Sequence, residues 1–329
     1  MTRFIVKRVG QSIAILFFVM FIIYLLMYSL PTSYMETQAR SMAQRPGSMK
    51  SYEEWLADLN AQYGMDKGPI AGYFTWLGSA VKGEFGESWY WTVNCTEKFA
   101  SVIWYSFSLG LIAFILQNSI SIPLGILAAR KQYSGIDYGV TVVSLVGMSL
   151  PTFFVATMLK MLFSVKLGWL DLGGIQGRDF MQLSNFGKLL DMGEHYIMPV
   201  LTLVIIGIGS MMRYTRANML EVLNSDYIRT ARAKGLDESR VINHHAFRNT
   251  LIPLVTILGG SLPGLFSGAL ITETLFALPG MGFTSYHAMI NGDIPFTMFY
   301  LMFMSILTLT GNLISDILYA VVDPRVRVQ

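Results

Sequence analysis

The first thing that this sequence lacks is charge. Aspartate, glutamate, lysine and arginine make up 14% of the 329 residues, while 53% of the residues are hydrophobic. Soluble domains contain about 25% charged residues, so this chain has too few charges to cover the water-facing surface of one large or two ordinary soluble domains. The high hydrophobicity also excludes a disordered chain.

Cysteine, histidine and nucleotide-binding motifs are also scarce. Cys95 is the only cysteine, which excludes an internal disulfide. The adjacent His244 and His245 lack further ligands nearby, so we expect no metal site. No G-x-x-x-x-G-K-[ST] segment is present, so the chain cannot hold a nucleotide in a P-loop, and we expect no cofactor in this chain. The net charge of +3 is too small to favour a nucleic-acid partner.

What the sequence does contain is six stretches free of charge. They cover residues 9–30, 103–129, 138–159, 196–212, 250–272 and 294–315. A helix needs about 20 apolar residues to cross a bilayer, so the sequence predicts an all-α integral membrane protein with six transmembrane helices. The first stretch is longer than the apolar core of a signal peptide and no small-residue cleavage site follows it, so we expect an anchor.

The remaining charges are divided unequally between the two sides of the membrane. If the N-terminus lies inside, the inner segments have a net charge of +8 and the outer segments −4. Short loops rich in lysine and arginine stay in the cytoplasm. We therefore expect a multi-pass protein with both termini cytoplasmic.

These stretches divide the chain into four parts. We expect a first transmembrane helix over residues 1–30, an external segment with short helices over 31–100, a core of five transmembrane helices over 101–322, and a cytoplasmic tail over 323–329. The core includes the cytoplasmic loop 221–249.

The external segment contains a helix signal. Ser51 and Glu54 have the spacing of a capping box, and Trp55, Leu59 and Tyr63 then recur on one helical face. The segment is either a small helical cap on the membrane surface or a platform for an external partner.

Loop 221–249 has the pattern helix, glycine, helix. Asn224 or Ser225 can cap a helix over residues 226–234, and Gly235 can end it because glycine adopts positive φ without penalty. Asp237 and Glu238 then place negative charge at the next helix N-terminus, where the helix dipole favours it. Charge alone favours a solvated turn, whereas the hinge glycine favours a knob that another protein grips.

Three glycines of the fifth stretch, Gly260, Gly264 and Gly268, recur every fourth residue. Such spacing permits close helix packing in lipid, or the glycines line a path for a polar substrate.

Polar residues inside the stretches are further candidates. Glu273, at the outer end of the fifth stretch, is interpreted as a gate or a substrate contact, because a carboxylate in a membrane is costly unless it faces a cavity or a partner. Gln117 and Asn118 either line the path or join helices. Lys160 is expected to extend its side chain toward the headgroups.

The sequence resembles one family over nearly its whole length. The matching residues are 3–5, 7–8, 63–66, 76–77, 83–88, 221–223, 226–236, 245–253, 273–276, 279–282, 312–313, 316, 318–319 and 323–327. On these segments the chain resembles the B-type permease of ABC importers for oligopeptides and dipeptides.

The resemblance implies a type I ABC importer permease fold in a bacterial cytoplasmic membrane. It implies half of a translocation path for peptides, which an extracytoplasmic solute-binding protein delivers. The implied partners are a second, C-type permease in a heterodimer, two cytoplasmic ABC ATPase subunits that hold ATP and Mg, and membrane lipid. No catalytic residue is expected in this chain.

The resemblance also implies an ATPase-coupling loop. Its residues are Glu221, Asp226, Tyr227, Ile228, Arg229, Ala231, Arg232 and Gly235. Among these, Tyr227, Ile228 and Ala231 are expected to supply the apolar contact with the ATPase, and the two arginines the charge complementarity.

Two other classes of protein remain as alternatives. A self-sufficient secondary transporter of a small polar solute would show repeated halves and paired intramembrane charges, and the six stretches show no such duplication. A membrane-embedded enzyme would need a catalytic constellation at depth, and none is apparent.

Overall fold

The computed structural model describes residues 2–29, 33–46, 49–63 and 66–322, so the predicted tail 323–329 lies outside the described residues. Within those ranges the regular structure is helical, apart from an isolated antiparallel bridge between Glu87 and Asn94. The all-α class predicted from the sequence is confirmed.

The first half of the chain forms seven α-helices. They are α1 (Thr2–Tyr28), α2 (Ser33–Ala43), α3 (Tyr52–Tyr63), α4 (Pro69–Val81), α5 (Cys95–Arg130), α6 (Gly135–Ser149) and α7 (Thr152–Leu159). Helix α7 continues as a π-helical segment, Lys160–Lys166, and a short 3-10 turn, Phe180–Gln182, follows.

The second half forms seven more. They are α8 (Asn185–Leu223), α9 (Asp226–Ala233), α10 (Glu238–Arg240), α11 (Phe247–Ser261), α12 (Leu270–Leu275), α13 (Met281–Ile290) and α14 (Ile294–Val322). A π-helical segment, Val241–Ala246, joins α10 to α11, and a 3-10 turn, Pro263–Phe266, follows α11.

Four helices are long and apolar enough to cross a membrane, and two bent pairs could each form one more span. The four are Val6–Tyr28, Cys95–Arg130, Asn185–Leu223 and Ile294–Leu318. The pairs are Gly135–Ser149 with Thr152–Lys166, bent by 100°, and Glu238–Leu251 with Pro253–Phe266, bent by 48°. The structure therefore has four to six spans by length and composition.

The third predicted span, residues 138–159, is not one straight helix as the sequence suggested. Leu150 is extended, with φ −81° and ψ 129°, and Pro151 begins the next helix. A residue before proline is disfavoured in the helical region because its backbone clashes with the proline ring. The 100° bend follows from that dipeptide.

The chain divides into two compact units. One contains Met1–Val102 and Thr284–Thr310, and the other contains Ile103–Phe283 and Gly311–Gln329.

In the first unit, the predicted capping box of α3 is confirmed. The Ser51 N–H donates to Glu54 Oε2 at 2.7 Å, and the Glu54 N–H donates to Ser51 Oγ at 3.3 Å. Leu59 and Tyr63, on the predicted apolar face, are both 4% exposed. The bond from the Ser51 backbone lowers the pKa of Glu54 below its usual value.

A buried carboxylate joins two segments of this unit. Asp293 is 1% exposed. Its Oδ2 accepts from Ser88 Oγ at 2.5 Å and from the Tyr90 N–H at 3.2 Å, while Oδ1 accepts from the Phe296 N–H at 3.2 Å. Asp293 thus caps α14 and holds the loop before α5 at the same time.

In the second unit, α8 is the central helix and packs on α5 and α6. A Cβ at Gly125 of α5 would lie 2.6 Å from the Met212 carbonyl of α8, so only glycine permits this approach. Arg216 of α8 donates from Nε and Nη2 to the Asp137 carboxylate of α6 at 2.5 and 2.8 Å. Asp137 is 2% exposed, so this bidentate pair ties two helices together.

Candidate functional site: loop 221–249 and the Glu273 cradle

Helix α9 begins immediately after the long helix α8. Ser225 occupies the N-cap position of α9, but its hydroxyl donates to the Val222 carbonyl at 2.5 Å and does not cap α9. Asn224 Nδ2 donates to the Leu220 carbonyl at 2.9 Å. The predicted side-chain cap is therefore wrong, because both side chains donate backward to carbonyls in the last turn of α8.

The end of α9 follows the sequence prediction. Gly235 has φ +74°, the left-handed conformation in which glycine avoids a penalty. Asp237 then caps the next turn by accepting the Ser239 N–H at 2.9 Å. Two short helices therefore meet at a sharp turn.

One face of α9 is buried in the protein's own core. Ile228 is 0% exposed and Ala231 is 7% exposed. Both belong to an apolar cluster drawn from the ends of α5 and α8, from α9 and from the segment that leads into α11. Its buried members are Ala129, Met219, Ile228, Ala231, Val241, Ile242 and Ala246. The expectation that Ile228 and Ala231 contact an ATPase is wrong, because these side chains point into this chain.

The opposite face of α9 is exposed and charged. The side chain of Asp226 is 98% exposed and that of Arg229 is 72% exposed, and their closest charged atoms are 3.6 Å apart. Tyr227 is 47% exposed, and Glu221, at the end of α8, is also exposed. A solvated pair of this kind contributes little to stability, so both charges remain available to a partner.

Arg232 has a different role from Arg229. Its Nη2 and Nε donate to the two carboxylate oxygens of Glu238 at 2.8 and 3.2 Å. This bond raises the pKa of Arg232 above its usual value. The pair links α9 to α10 across the Gly235 turn, so it stiffens the loop. The sequence placed Arg232 on the partner side and Glu238 at a helix N-terminus, and it missed the pairing between them.

Glu273 lies in a closed cradle of donors. It is 0% exposed. Its Oε1 accepts from Ser106 Oγ at 2.7 Å and from the Ala269 N–H at 2.9 Å, and its Oε2 accepts from the Phe283 N–H at 2.9 Å. Ser106 Oγ also accepts the Met281 N–H at 2.6 Å. A Cβ at Gly280 would lie 2.5 Å from Oε2, so that glycine lets the backbone close over the carboxylate.

Lys160 also joins this region. Its Nζ donates to the Leu275 carbonyl at 2.6 Å and lies 5.6 Å from the centre of the Phe276 ring. The expectation that it extends toward headgroups is wrong, because a carbonyl near the end of α12 is within reach. Ser106 and this carbonyl were missed, since nothing in their sequence neighbourhoods marks them.

Comparison with known proteins decides the family. Residues 121–328 match the model for the inner membrane component of binding-protein-dependent transport systems, and residues 1–107 match the model for its N-terminal region. The chain belongs to this permease family.

Relatives of the permease share its whole length. It is 36% identical over 327 residues to the oligopeptide transport system permease protein AppB of Bacillus subtilis, covering 99% of both chains. It is 34% identical over 328 residues to the oligopeptide permease protein OppB of Haemophilus influenzae, covering 99% of this chain and 100% of the relative. It is 33% identical over 346 residues to the dipeptide permease protein DppB of Escherichia coli K12, covering 99% of both.

The three spaced glycines of the permease do not form one helical stripe. Gly260 lies on α11, where a Cβ would be 3.3 Å from Ser315 Cβ of α14. Gly264 lies in the 3-10 turn, with no described atom within 4 Å of its ideal Cβ. Gly268 has φ +81° and lies outside the helix, beside Glu273. The expectation of a single stripe is wrong because α11 ends at Ser261.

The two amides of α5 lie between helices. Gln117 Nε2 donates to the Gly207 carbonyl of α8 at 3.0 Å. Asn118 is 8% exposed, and its Nδ2 donates to the Phe114 carbonyl one turn earlier at 2.7 Å. Among the described residues, Asn118 Oδ1 has no hydrogen-bond partner.

Proposed function

We propose that this permease is one of two membrane-spanning subunits of an ATP-driven peptide importer, and that loop 221–249 couples it to a cytoplasmic ATPase. The observation that supports this proposal most directly is that α9 has one buried face and one exposed face. Its inner face is sealed into the apolar cluster, while Asp226, Tyr227 and Arg229 are exposed. A helix built in this way can receive a contact from outside and pass the force inward.

The transmission step follows from the packing around α9. Ile228 and Ala231 contact residues at the ends of α5 and α8 and at the start of α11. Close-packed interiors transmit displacement because they contain few voids. The Arg232–Glu238 pair and the Gly235 turn keep α9 and α10 together, so a displacement of α9 moves the helix ends beneath it.

The exposed residues then form the proposed contact with the ATPase. Tyr227 offers an aromatic ring, which is a common anchor in protein interfaces, and Asp226, Arg229 and Glu221 offer charges of both signs. The energy comes from ATP and Mg bound by two partner ATPase subunits. The chain itself contributes no chemical step.

The proposed substrate is a peptide, because relatives at 33–36% identity are named for oligopeptide and dipeptide transport. An extracytoplasmic binding protein delivers it, and a second permease completes the path. The excess of positive charge on the α9 side supports cytoplasmic termini in a bacterial inner membrane. The division into residues 1–30, 31–100, 101–322 and 323–329 is kept as part of this proposal.

Glu273 is proposed to position the outer part of the core rather than to contact the substrate. Both of its oxygens accept bonds from protein donors and the side chain is fully enclosed. Gln117 is proposed to join α5 to α8, and Gly260 to let α11 approach α14, since each makes such a contact. Neither is proposed to line the path.

The experiment reverses one charge on the exposed face of α9. Arg229→Glu is expected to reduce peptide uptake into proteoliposomes by at least about tenfold, the cost of losing one charge-assisted interface contact. When the complex is purified through a tag on this chain, less ATPase subunit should co-purify with the same variant. Arg178→Glu, an equal change on the proposed external side, should leave both quantities unchanged.

Two outcomes would contradict the proposal. Full uptake and full ATPase recovery with Arg229→Glu would remove α9 from the coupling contact. Recovery of the chain as an active monomer, without ATPases or a second permease, would instead support the secondary transporter.

A further inference from the structure

We propose that α4 is embedded in the lipid bilayer beside α1, lying largely within one leaflet, with its Ile70–Phe74–Val81 face in contact with acyl chains. This goes beyond the proposed transport function and depends only on α1 crossing the membrane. Helix α4 is too short to span and belongs to the segment expected to lie outside. Its 13 residues, PIAGYFTWLGSAV, contain no charge.

The contacts with α1 set the depth of α4. Tyr28 Oη, at the end of the α1 span, donates to the Lys67 carbonyl at 3.2 Å, just before α4 begins. Tyr73 Oη of α4 donates to the Phe17 carbonyl of α1 at 2.8 Å. Eleven helical residues separate Tyr28 from Phe17, which is about 16 Å along the axis. Half of the hydrocarbon core is about 15 Å thick, so the Tyr73 hydroxyl reaches the level of the bilayer centre.

Aromatic contacts support the same placement. The ring of Tyr73 lies 5.3 Å from that of Phe17 and 5.1 Å from that of Phe21. The ring of Phe74 lies 6.1 Å from that of Phe17, and that of Trp76 lies 6.2 Å from that of Tyr24. All of these partners lie within the α1 span, Val6–Tyr28. Helix α4 therefore packs along the span and not above its end.

Helical periodicity divides α4 into three faces. The first face packs on the protein, with Tyr73 0% exposed and Trp76 4% exposed. The second face is small and polar and contains Thr75, whose Oγ1 accepts from Lys67 Nζ at 3.1 Å. The third face is apolar and uncovered.

The uncovered face is the one assigned to lipid. Its residues fall at i, i+4 and i+11, and their exposed fractions are 64% for Ile70, 56% for Phe74 and 80% for Val81. Phe74 contacts Phe17, whose neighbour Phe18 is 63% exposed on α1. This face is therefore continuous with the exposed apolar surface of a transmembrane helix.

The test measures the environment of each face directly. Single-cysteine variants Ile70→Cys, Phe74→Cys and Val81→Cys carry a nitroxide label. The matched controls are Ala71→Cys, on the polar face of α4, and Lys82→Cys, immediately after α4 ends. The native Cys95 is 0% exposed, and the unsubstituted chain gives the background. The full chain is assembled with cysteine-free partner subunits in vesicles of phosphatidylethanolamine and phosphatidylglycerol, and power saturation compares collisions with oxygen and with a water-soluble nickel chelate.

The three labels on the apolar face should collide mainly with oxygen, with an oxygen-to-nickel ratio several-fold above that of the two controls. Equal collisions with the nickel chelate at all five positions would place α4 in water and overturn the proposal. Protection from both reagents at the three positions would also overturn it, because another protein would then cover the face. Peptide uptake by the same vesicles is measured separately, so a failure of the transport function is not confused with either result.

Discussion

Glu273 in one unit and Asp293 in the other are two buried carboxylates with the same number of donors described around them. Among the bonds described, each accepts two from backbone N–H groups and one from a serine hydroxyl. The serine in each case also accepts a backbone N–H. The difference lies in how many separate segments supply the donors.

Asp293 accepts one bond from its own helix, since Phe296 is three residues away and the bond is an ordinary helix N-cap. Its other described donors, Ser88 and Tyr90, belong to one loop, 205 and 203 residues away. Glu273 also uses a near donor, Ala269, but its other described donors, Phe283 of α13 and Ser106 of α5, belong to two different helices. One carboxylate therefore mainly caps a helix and holds one loop, whereas the other joins three separate parts of a fold. We therefore expect removal of the Glu273 charge to destabilise the fold more than removal of the Asp293 charge.

The largest expected effect comes from Glu273→Gln. The amide nitrogen must face an N–H or hydroxyl donor, which leaves a buried donor unpaired at a cost of about 3 kcal/mol. We expect a clear fall in the thermal midpoint of unfolding of the purified chain in detergent. The unfolding is measured by intrinsic tryptophan fluorescence. A midpoint equal to that of the unsubstituted chain would show that the cradle does not hold the core.

Asp293→Asn should cost less, about 1 to 2 kcal/mol, because asparagine Oδ1 remains a good N-cap for α14. The new Nδ2 replaces an oxygen that accepts from Ser88 and Tyr90, but the serine hydroxyl can turn to accept from it and water can reach the half-exposed Tyr90. The single Cys95 is buried in the same unit, so its reaction with a thiol dye on heating reports the unfolding of this unit. If Asp293→Asn destabilises the protein as much as Glu273→Gln does, the distinction between the two carboxylates fails.

The two serines sharpen the comparison further. Ser106→Ala removes donors and acceptors that join α5 to Glu273 and to Met281, 175 residues away, and we expect a loss of about 2 kcal/mol. Ser88→Ala should cost about 1 kcal/mol, because its second partner, Trp91, is in the same turn and the adjacent Tyr90 is half exposed, which lets water replace the hydroxyl. The thermal midpoints of both variants are measured side by side, and the reverse order would contradict the interpretation.

Glu54 differs from both buried carboxylates because it is exposed and its described bonds lie within its own helix turn. We expect the smallest effect here. Its pKa is lowered by the Ser51 backbone bond, so the ionised form stabilises the start of α3 at neutral pH, and this contribution is lost as the pH falls through the lowered value. Ser51→Ala should reduce hydrogen-exchange protection of α3 by roughly fivefold at most. After correction for intrinsic rates, protection in the unsubstituted chain should also fall as the pH drops below the usual pKa of glutamate, about 4.3. Unchanged protection under both conditions would remove the capping box as a source of stability.

Sequence reasoning recovered the features that depend on neighbouring residues. The capping box of α3, the positive φ of Gly235 and the cap at Asp237 each involve contacts within four residues, so residue type and spacing suffice to predict them. It failed where a side chain has two possible directions. Ser225 and Asn224 are good caps for α9, yet both bond backward to α8.

The sites were predicted less well than the helices. The sequence located α9 and Glu273, but it assigned Ile228 and Ala231 to a partner. It missed Ser106, the pairing of Arg232 with Glu238, and the carbonyl that holds Lys160. It also joined Gly268 to a helix that ends seven residues earlier, because four-residue spacing does not reveal where a helix stops. Each error concerns which groups meet across a long stretch of chain.

The sequence by itself determined that this is a helical membrane protein of the permease family with a charged helix–glycine–helix loop. Those conclusions rest on long apolar runs, the placement of charge and local motifs. All of these are continuous stretches of sequence, so they can be recognised without knowing how distant segments pack. Only the tertiary structure decided that the inner face of α9 belongs to the permease, that Glu273 is enclosed, and that α4 lies along α1. Burial and hydrogen-bond partners between distant segments are set by the packing of the whole chain, and no local pattern records them.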